Sequence, residues 1–96
     1  MIPDDILIEH DTTAHQFQAG VDRQLGFLKY RRAPGRITFV HTEVPESLRD
    51  HGIAAKLARA GLEFAKAESL RVIVACPYVK SYIDRHPEYV PLLRDR

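Results

Sequence analysis

The sequence predicts an α+β fold in which an antiparallel meander of strands leads into a βαβ unit. The first half of the chain contains short strand-like segments joined by very short connections, which favours antiparallel neighbours. From Ile53 onward the apolar residues follow helical spacing, and RVIVAC (Arg71–Cys76) is then a nearly unbroken apolar run. Such a run is typical of a strand buried on both faces. Because one helix separates the fourth and fifth strands, we expect these two strands to be parallel.

The composition fits one small domain spanning residues 1–96. Of the 96 residues, 45% are hydrophobic and 28% are charged, which leaves little surplus core for a second domain. The formal net charge of +1 gives no bulk electrostatic reason to expect nucleic acid or an anionic membrane as a partner. No apolar run approaches the ~18 residues of a membrane span, and the acidic N-terminus lacks a secretory signal, so we expect a cytoplasmic protein. The single cysteine excludes an intramolecular disulfide and a multi-cysteine metal site, and no metal is expected.

Four strands are predicted before the helix. Alternation is clearest in the second, where Phe17, Ala19 and Val21 alternate with two glutamines and a glycine. The fourth is rich in β-branched and aromatic residues. Short turns at residues 22–24 and 33–35 precede and follow the third. The predicted strands are Asp5–Asp11, His15–Asp22, Leu25–Arg32 and Arg36–Val44.

The segment PESLRDHGIAAKLARAGLEFAKAESL (Pro45–Leu70) is predicted to be helical, but it contains a glycine that can be interpreted in two ways. Gly52 would cost about 1 kcal/mol inside a helix relative to alanine. It is either a helix-packing glycine within a longer helix, or the residue at which the helix begins. In the second case the residues before it form a functional loop, and N–H groups from about His51 onward point together at one anion site. A diphosphate would fit there, and Arg49 could add a charge-assisted contact.

A second helix is predicted to begin at Pro77, because proline's missing N–H is not needed in a first helical turn. Tyr78 and Tyr82 share one face of this helix. RHPEY (Arg85–Tyr89) predicts its end, since the residue before a proline disfavours helix. The tail VPLLRDR (Val90–Arg96) is predicted to form a last short strand or a turn.

Three motifs together resemble a known family. Arg49-x-x-Gly52-x-Ala54 matches the R/Q-x-x-G-x-G/A signature of the GNAT superfamily of N-acetyltransferases, and it follows the fourth strand as in that superfamily. HTEVP at 41–45 and CPYVKSYIDRHPEY at 76–89 are more specific, and they are similar to motifs of the small, single-domain, NATD-type group of the superfamily. The resemblance covers nearly the whole chain.

The resemblance implies a compact GNAT fold with little of the usual helical insertion between the first two strands. It implies acetyl-CoA as co-substrate, bound where the fourth and fifth strands splay apart, with its pyrophosphate at residues 49–54 and its pantetheine arm near Val44. Related members often have a small residue at position 50 and a basic residue or glutamine at 51, where this chain has Asp50 and His51. The implied cofactor-binding residues are Val44, Arg49, Asp50, His51, Gly52, Ile53, Ala54 and Ala55.

Transfer of an acetyl group from a thioester to an amine needs a base for the amine and an acid for the departing thiolate. His41 and Glu43 alternate onto one face of the fourth strand beside the implied thioester, where His41 could be the base. The alternative is a buried structural histidine. Tyr82 matches the tyrosine that often protonates the thiolate in GNAT enzymes, and its alternative is ordinary packing of an amphipathic ring.

Cys76 is predicted to end the fifth strand at the point where the two strands splay. A thiol there could accept the acetyl group and pass it on, and the dipole of the helix beginning at Pro77 would favour its thiolate. The alternative is a small core hydrophobe, as most free cysteines are. Direct transfer without such a thiol is the usual mechanism of the superfamily that the chain resembles.

Two functions from different classes remain open. The first is an acetyl-CoA-dependent N-acetyltransferase that acts on a small amine or on a protein lysine or N-terminus, and the joint presence of His41, Glu43, Cys76 and Tyr82 favours it. The second is a non-catalytic acyl-CoA-binding or regulatory module, which is favoured because so small a domain has few loops for an acceptor pocket. No motif names the acceptor. A monomer or a weak dimer is expected.

Overall fold

The predicted meander and βαβ unit are confirmed. The computed structural model describes residues 6–21 and 23–93, apart from the side chains of Asp50 and His51. Five strands form one mixed sheet in which the spatial order follows the sequence order. They are β1 (Glu9–Asp11), β2 (Gln16–Val21), β3 (Gln24–Ala33), β4 (Arg36–Glu43) and β5 (Arg71–Val74). The first four pair antiparallel, and β4 pairs parallel with β5.

Two α-helices and two 3₁₀ helices complete the described part of the chain. Helix α1 (Ile53–Ala67) follows the 3₁₀ helix Glu46–His51, and α2 (Pro77–Arg85) precedes the 3₁₀ helix Pro87–Leu93. No helix within residues 6–21 and 23–93 combines the length and the apolar character needed to cross a membrane.

Helix α1 covers one face of the sheet, and α2 packs beside it. Phe17, Leu28 and Phe39 of the sheet are buried beneath α1. Gly61 permits this close approach, because a Cβ added there would lie 2.7 Å from Cε1 of Phe39. We call the opposite side of the sheet the outer face. On the outer face, Lys29 and other side chains of β3 are exposed.

The prediction that the fifth strand is buried on both faces is wrong. β5 is an edge strand, and Ile73 on its outer face is 37% exposed, whereas Val72 is buried on the side of α1. The run is apolar at nearly every position, so the sequence suggests a strand buried on both faces. In the structure only alternate residues of the run enter the core. β5 also ends at Val74 instead of Cys76, since the chain turns there into α2.

Other boundaries differ from the predictions at the two ends of the chain. β1 begins at Glu9, later than the predicted start at Asp5, which lies outside the described residues. Of the strand or turn predicted for the tail, the strand is wrong, because the chain forms a 3₁₀ helix up to Leu93. Tyr89 and Leu92 are buried three residues apart, the spacing of one face of a 3₁₀ helix. Residues 94–96 lie outside the described part.

Candidate active site

β4 and β5 part beyond Phe39, as predicted. The last pair between them is Phe39 with Val74, and the Ala75 N–H donates to the Phe39 carbonyl at 2.9 Å. β4 then continues to Glu43, whereas the chain that follows β5 turns into α2. The β4 residues past Phe39 therefore border a gap between the two strands, which we call the splay.

A β-bulge in β4 decides which way the side chains beside the splay point. Tyr30 of β3 pairs with Phe39, but the preceding Lys29 pairs with His41, so Val40 is one extra residue in β4. Regular alternation from the buried Phe39 would turn His41 toward α1. Because of the extra residue, His41 projects from the outer face instead.

Glu43 shares the outer face with His41, and their side chains lie close together. Glu43 Oε1 is 3.7 Å from His41 Nε2, and the side chains of His41 and Glu43 are 59% and 63% exposed. The Phe27 ring of β3 meets the His41 ring edge-on, with 6.1 Å between centroids. His41 is therefore not a buried structural histidine, and that alternative is wrong. An exposed imidazole beside a carboxylate can accept a proton from a group that approaches this face.

The start of α1 explains why a glycine stands at position 52. Gly52 has a φ of 69°, a left-handed conformation that other residues rarely adopt, so the interpretation of Gly52 as a residue inside a longer helix is wrong. The first helical hydrogen bond runs from the Lys56 N–H to the Gly52 carbonyl at 3.1 Å, and the N–H groups of Ile53, Ala54 and Ala55 precede it. Among the described residues, no side chain caps this end of α1. No described atom beyond its chain neighbours would lie within 4 Å of a Cβ added at Gly52, so the described residues leave room for an anion at this helix end.

Arg49 connects the end of β4 to the start of α1. It belongs to the 3₁₀ helix Glu46–His51, which takes the place of the loop expected if the helix begins at Gly52. Its Nε donates to the Val44 carbonyl at 3.1 Å, and this bond holds the 3₁₀ helix against β4. The side chains of Asp50 and His51, both predicted to line the cofactor site, lie outside the described residues.

One cleft of about 440 Å³ joins these features beside the splay, and we call it the β4 cleft. It brings catalytic candidates together with residues implied to bind the cofactor. Ile53 is fully buried and does not line the cleft. The residues that line the cleft are His41, Thr42, Glu43, Val44, Arg49, Ala54 and Tyr78.

Two of these lining residues, Thr42 and Tyr78, are not among the predicted site residues. Tyr78 lies in the first turn of α2, one turn before Tyr82 on the same helix face. The sequence contains a signal for it, because a helix that begins at Pro77 places its first-turn side chains nearest the end of the preceding strand. Thr42 lies within the HTEV motif, between the two predicted catalytic residues.

Cys76 does not line the β4 cleft. The residue is 2% exposed, and its Sγ lies 3.2 Å from Oγ1 of Thr42. It directly precedes α2 and links the start of this helix to β4 across the splay. Such burial matches the alternative of a small core residue, because a thiol that accepts an acetyl group needs access to the thioester.

Tyr82 lies in a second cavity, of about 450 Å³, between α1, α2 and the last 3₁₀ helix. We call Glu63, Tyr82, His86 and Tyr89 the tyrosine cluster. The Tyr82 and His86 rings stack with 4.1 Å between centroids, and the Tyr89 hydroxyl donates to Glu63 Oε2 at 2.6 Å. Burial raises the pKa of Tyr82, and burial together with the bond to Glu63 raises the pKa of Tyr89 to about 12. The structure thus separates Tyr82 from His41 and Glu43.

Comparison with known proteins identifies the family. The family model of the GCN5-related N-acetyl-transferase matches residues 16–92, which contain the β4 cleft and both helices. The chain belongs to this GNAT-related family. The resemblance drawn from the three sequence motifs is thereby confirmed.

Individual relatives are similar along most of their length. Protein NATD1 from Bos taurus is 36% identical over 85 residues, which cover 85% of this chain and 75% of that protein. Protein NATD1 from Mus musculus is 35% identical over 85 residues, with 85% and 77% covered. Protein NATD1 from Xenopus tropicalis is 33% identical over 86 residues, with 85% and 78% covered. Acetyl transfer is the general chemistry of the GNAT-related family. The β4 cleft is therefore the candidate site for that chemistry.

Proposed function

We propose that this GNAT-related domain is an acetyl-CoA-dependent N-acetyltransferase whose acceptor is an amine, either a small amine or a lysine or N-terminus of a protein. One observation carries the proposal: the β4 cleft joins the N-terminus of α1, which no described side chain caps, to the exposed His41–Glu43 pair. An anion-binding helix end beside a proton acceptor is what an enzyme of this family needs in order to hold CoA and activate an amine.

The start of α1 fits the pyrophosphate of CoA. The N–H groups of Ala54 and Ala55 would donate to phosphate oxygens, Gly52 leaves the approach open, and Arg49 lines the same cleft with a positive charge. Past Phe39, the backbone N–H and C=O groups of β4 are not paired with β5. These groups can therefore hydrogen-bond to an extended pantetheine arm that runs toward Val44. The residues present therefore fit the cofactor that the resemblance implies.

Acetyl-CoA, when bound, supplies an acetyl group activated as a thioester. The His41 imidazole, with Glu43 beside it, would take a proton from the acceptor amine at the outer face. The hydroxyl of Tyr78, a residue that lines the same cleft, would donate a proton to the leaving sulfur. We assign this role to Tyr78 because Tyr82 lies in the tyrosine cluster. We assign no covalent role to Cys76, because its thiol is buried.

Cofactor binding is tested with two matched glycine variants, Gly52→Val and Gly35→Val. The two glycines have φ values of 69° and 72°, and a Cβ added at either has no neighbour within 4 Å. Gly35 lies in the turn between β3 and β4, so its variant has the same backbone strain away from the cleft. At about 100 times its Kd, CoA should stabilise the parent and Gly35→Val by about 2.7 kcal/mol in thermal or denaturant unfolding. Gly52→Val should lose this stabilisation, and a full shift in that variant would contradict the proposed site.

Catalysis is tested separately from binding. The protein is incubated with acetyl-CoA and a panel of small amines and lysine peptides, and free CoA is measured with a thiol reagent. Amine-dependent release of CoA supports the transferase. Binding without release for any amine supports the alternative function, a non-catalytic acyl-CoA-binding module.

A further inference from the structure

One amine of the protein itself lies on the outer face beside the candidate base. Lys29 pairs directly with His41 across β3 and β4, so the two side chains project from the same face. Its Nζ lies 5.9 Å from the centroid of the Phe27 ring, the same ring that His41 meets. Phe27 in turn pairs with Glu43. We call Phe27, Lys29, His41 and Glu43 the outer patch.

We propose that Lys29 is a self-acetylation site, the acceptor of an intramolecular transfer catalysed at the β4 cleft. The inference rests on the proposed function, because it needs acetyl-CoA bound beside the splay. The juxtaposition of Lys29 with the His41–Glu43 pair carries it.

The backbone of Lys29 lies one strand away from the splay, across β4. Adjacent strands are about 4.8 Å apart, so Lys29 begins one strand spacing from the stretch of β4 that borders the splay. Its amine sits on a flexible four-carbon stem, and the residue is exposed. The ammonium group lies 5.9 Å from the centroid of the Phe27 ring, which His41 also contacts, and this cation–π contact is weak enough at an exposed site to be released.

The transfer balances without an oxidant or a reductant. The His41–Glu43 pair takes one proton from the Lys29 ammonium, which frees the lone pair of Nζ. A bond then forms from Nζ to the acetyl carbon, and the C–S bond of the thioester breaks with its electrons on sulfur. The nitrogen gives up a second proton, and the sulfur takes one. The products are Nζ-acetyl-lysine at position 29, the free thiol of CoA and one proton released to solvent.

The other lysines supply internal controls. The sequence has only Lys29, Lys56, Lys66 and Lys80. Lys66 lies in the last turn of α1 and Lys80 lies on α2, both are exposed, and neither belongs to the outer patch. Chemical acetylation by acetyl-CoA in solution would modify these two lysines as readily as Lys29.

The test measures acetylation of each lysine by peptide mass spectrometry after incubation of the whole chain with acetyl-CoA. Trypsin does not cleave after acetyl-lysine, so residues 24–31 remain one peptide, QLGFLKYR, when Lys29 is modified. Lys29 should react about tenfold or more faster than Lys66 and Lys80, at a rate constant independent of protein concentration. His41→Gln and Glu43→Gln should each slow Lys29 by about tenfold or more and leave Lys66 and Lys80 unchanged. Equal rates at the three lysines, or a Lys29 rate insensitive to both variants, would overturn the proposal.

A second measurement needs no turnover. Bound CoA, which has no acetyl group to transfer, should slow the labelling of Lys29 by an amine-reactive ester several-fold, while Lys66 and Lys80 label at their original rates. Unprotected Lys29 in a CoA-saturated protein would place this amine away from the site and overturn the proposal. If CoA binds and added amines release it while Lys29 stays unmodified, this inference alone is wrong. If CoA does not bind, both the inference and the proposed function are wrong.

Discussion

The chain contains two His-x-Glu pairs that differ in what their histidines contact. His41 and Glu43 lie 3.7 Å apart at the β4 cleft, and His86 and Glu88 lie 3.9 Å apart beside the tyrosine cluster. The two glutamates are similarly exposed, at 63% and 65%. His86, however, stacks on Tyr82 with 4.1 Å between centroids, whereas His41 meets only the edge of a ring at 6.1 Å.

This difference shows that contacts, more than residue types, distinguish the two regions. In the tyrosine cluster the Tyr89 hydroxyl donates to Glu63 and the Tyr82 ring stacks on His86. Burial raises the pKa of Tyr82, and burial together with the bond to Glu63 raises that of Tyr89. A shifted pKa with such causes is expected of a structural network as well as of a catalytic site. The His41–Glu43 pair instead faces solvent on a cleft, where an acceptor can reach it.

The largest effect should come from removing the base at the β4 cleft. Glu43→Gln and His41→Gln should each lower the rate of CoA release with the best acceptor by about 100-fold or more, because a positioned general base contributes about that much. Both side chains are exposed, so unfolding free energy should change by less than about 0.5 kcal/mol. Steady-state kinetics and urea unfolding of the same preparations measure the two quantities.

The second His-x-Glu pair provides the matched control. Glu88→Gln and His86→Gln remove the same functional groups at nearly the same separation, outside the β4 cleft. Both variants should keep the parent rate of CoA release. Equal losses of rate at the two pairs would mean that their different contacts do not determine which pair acts in catalysis.

The tyrosine cluster should affect stability instead of rate. Tyr89→Phe removes the hydroxyl that donates to Glu63 and should lower the free energy of unfolding by about 1–2 kcal/mol, since hydrogen bonds to charged groups contribute somewhat more than neutral ones. The rate of CoA release per folded molecule should not change. Denaturant unfolding and the CoA assay at a temperature well below the transition test both statements.

The same variant should change how stability depends on pH. The folded state raises the pKa of Tyr89 to about 12, whereas tyrosine in an unfolded chain titrates near pH 10. The unfolded state therefore loses the proton first, and stability is lost as pH rises from about 10 through 12. Burial also raises the pKa values of Tyr30 and Tyr82, and these contribute in both proteins. The parent should thus lose more stability than Tyr89→Phe between pH 9 and 11, and parallel curves would contradict the assigned role of the hydroxyl.

The sequence predicts the fold well because alternation, helical spacing and short turns are local signals. It cannot show that β5 is an edge strand, since Ile73 and Val72 are equally apolar and only the neighbouring elements determine which is covered. The 3₁₀ helices are missed for a related reason. The polar residues of Glu46–His51 fit either a helix or a loop, and the prolines of Pro87–Leu93 suggest a turn. Burial of a few side chains, such as Leu48 and Tyr89, accompanies the 3₁₀ conformation.

The sequence predicts the candidate site only where a residue type reveals the local backbone conformation. Gly52 signals the start of α1 because its left-handed φ requires a glycine. The bulge at Val40 has no such signal, yet it alone turns His41 from the core to the outer face. On α2, Tyr78 and Tyr82 are one turn apart on the same face, and only tertiary packing shows that the first lines the β4 cleft and the second the tyrosine cluster.

The smallest effect is expected at Cys76, which precedes the helix that contributes to both regions. The residue is 2% exposed, and its thiol lies 3.2 Å from the Thr42 hydroxyl. In Cys76→Ser a hydroxyl can keep this contact, because both hydroxyls can donate and accept. The cost of burying a more polar group should exceed that bond slightly, so unfolding free energy should fall by about 1 kcal/mol or less. The rate of CoA release should stay within about twofold of the parent, since direct transfer needs no thiol. A loss of about tenfold or more in a folded variant, together with a thioester-linked acetyl group on Cys76 in the parent, would show that the thiol takes part in a covalent step.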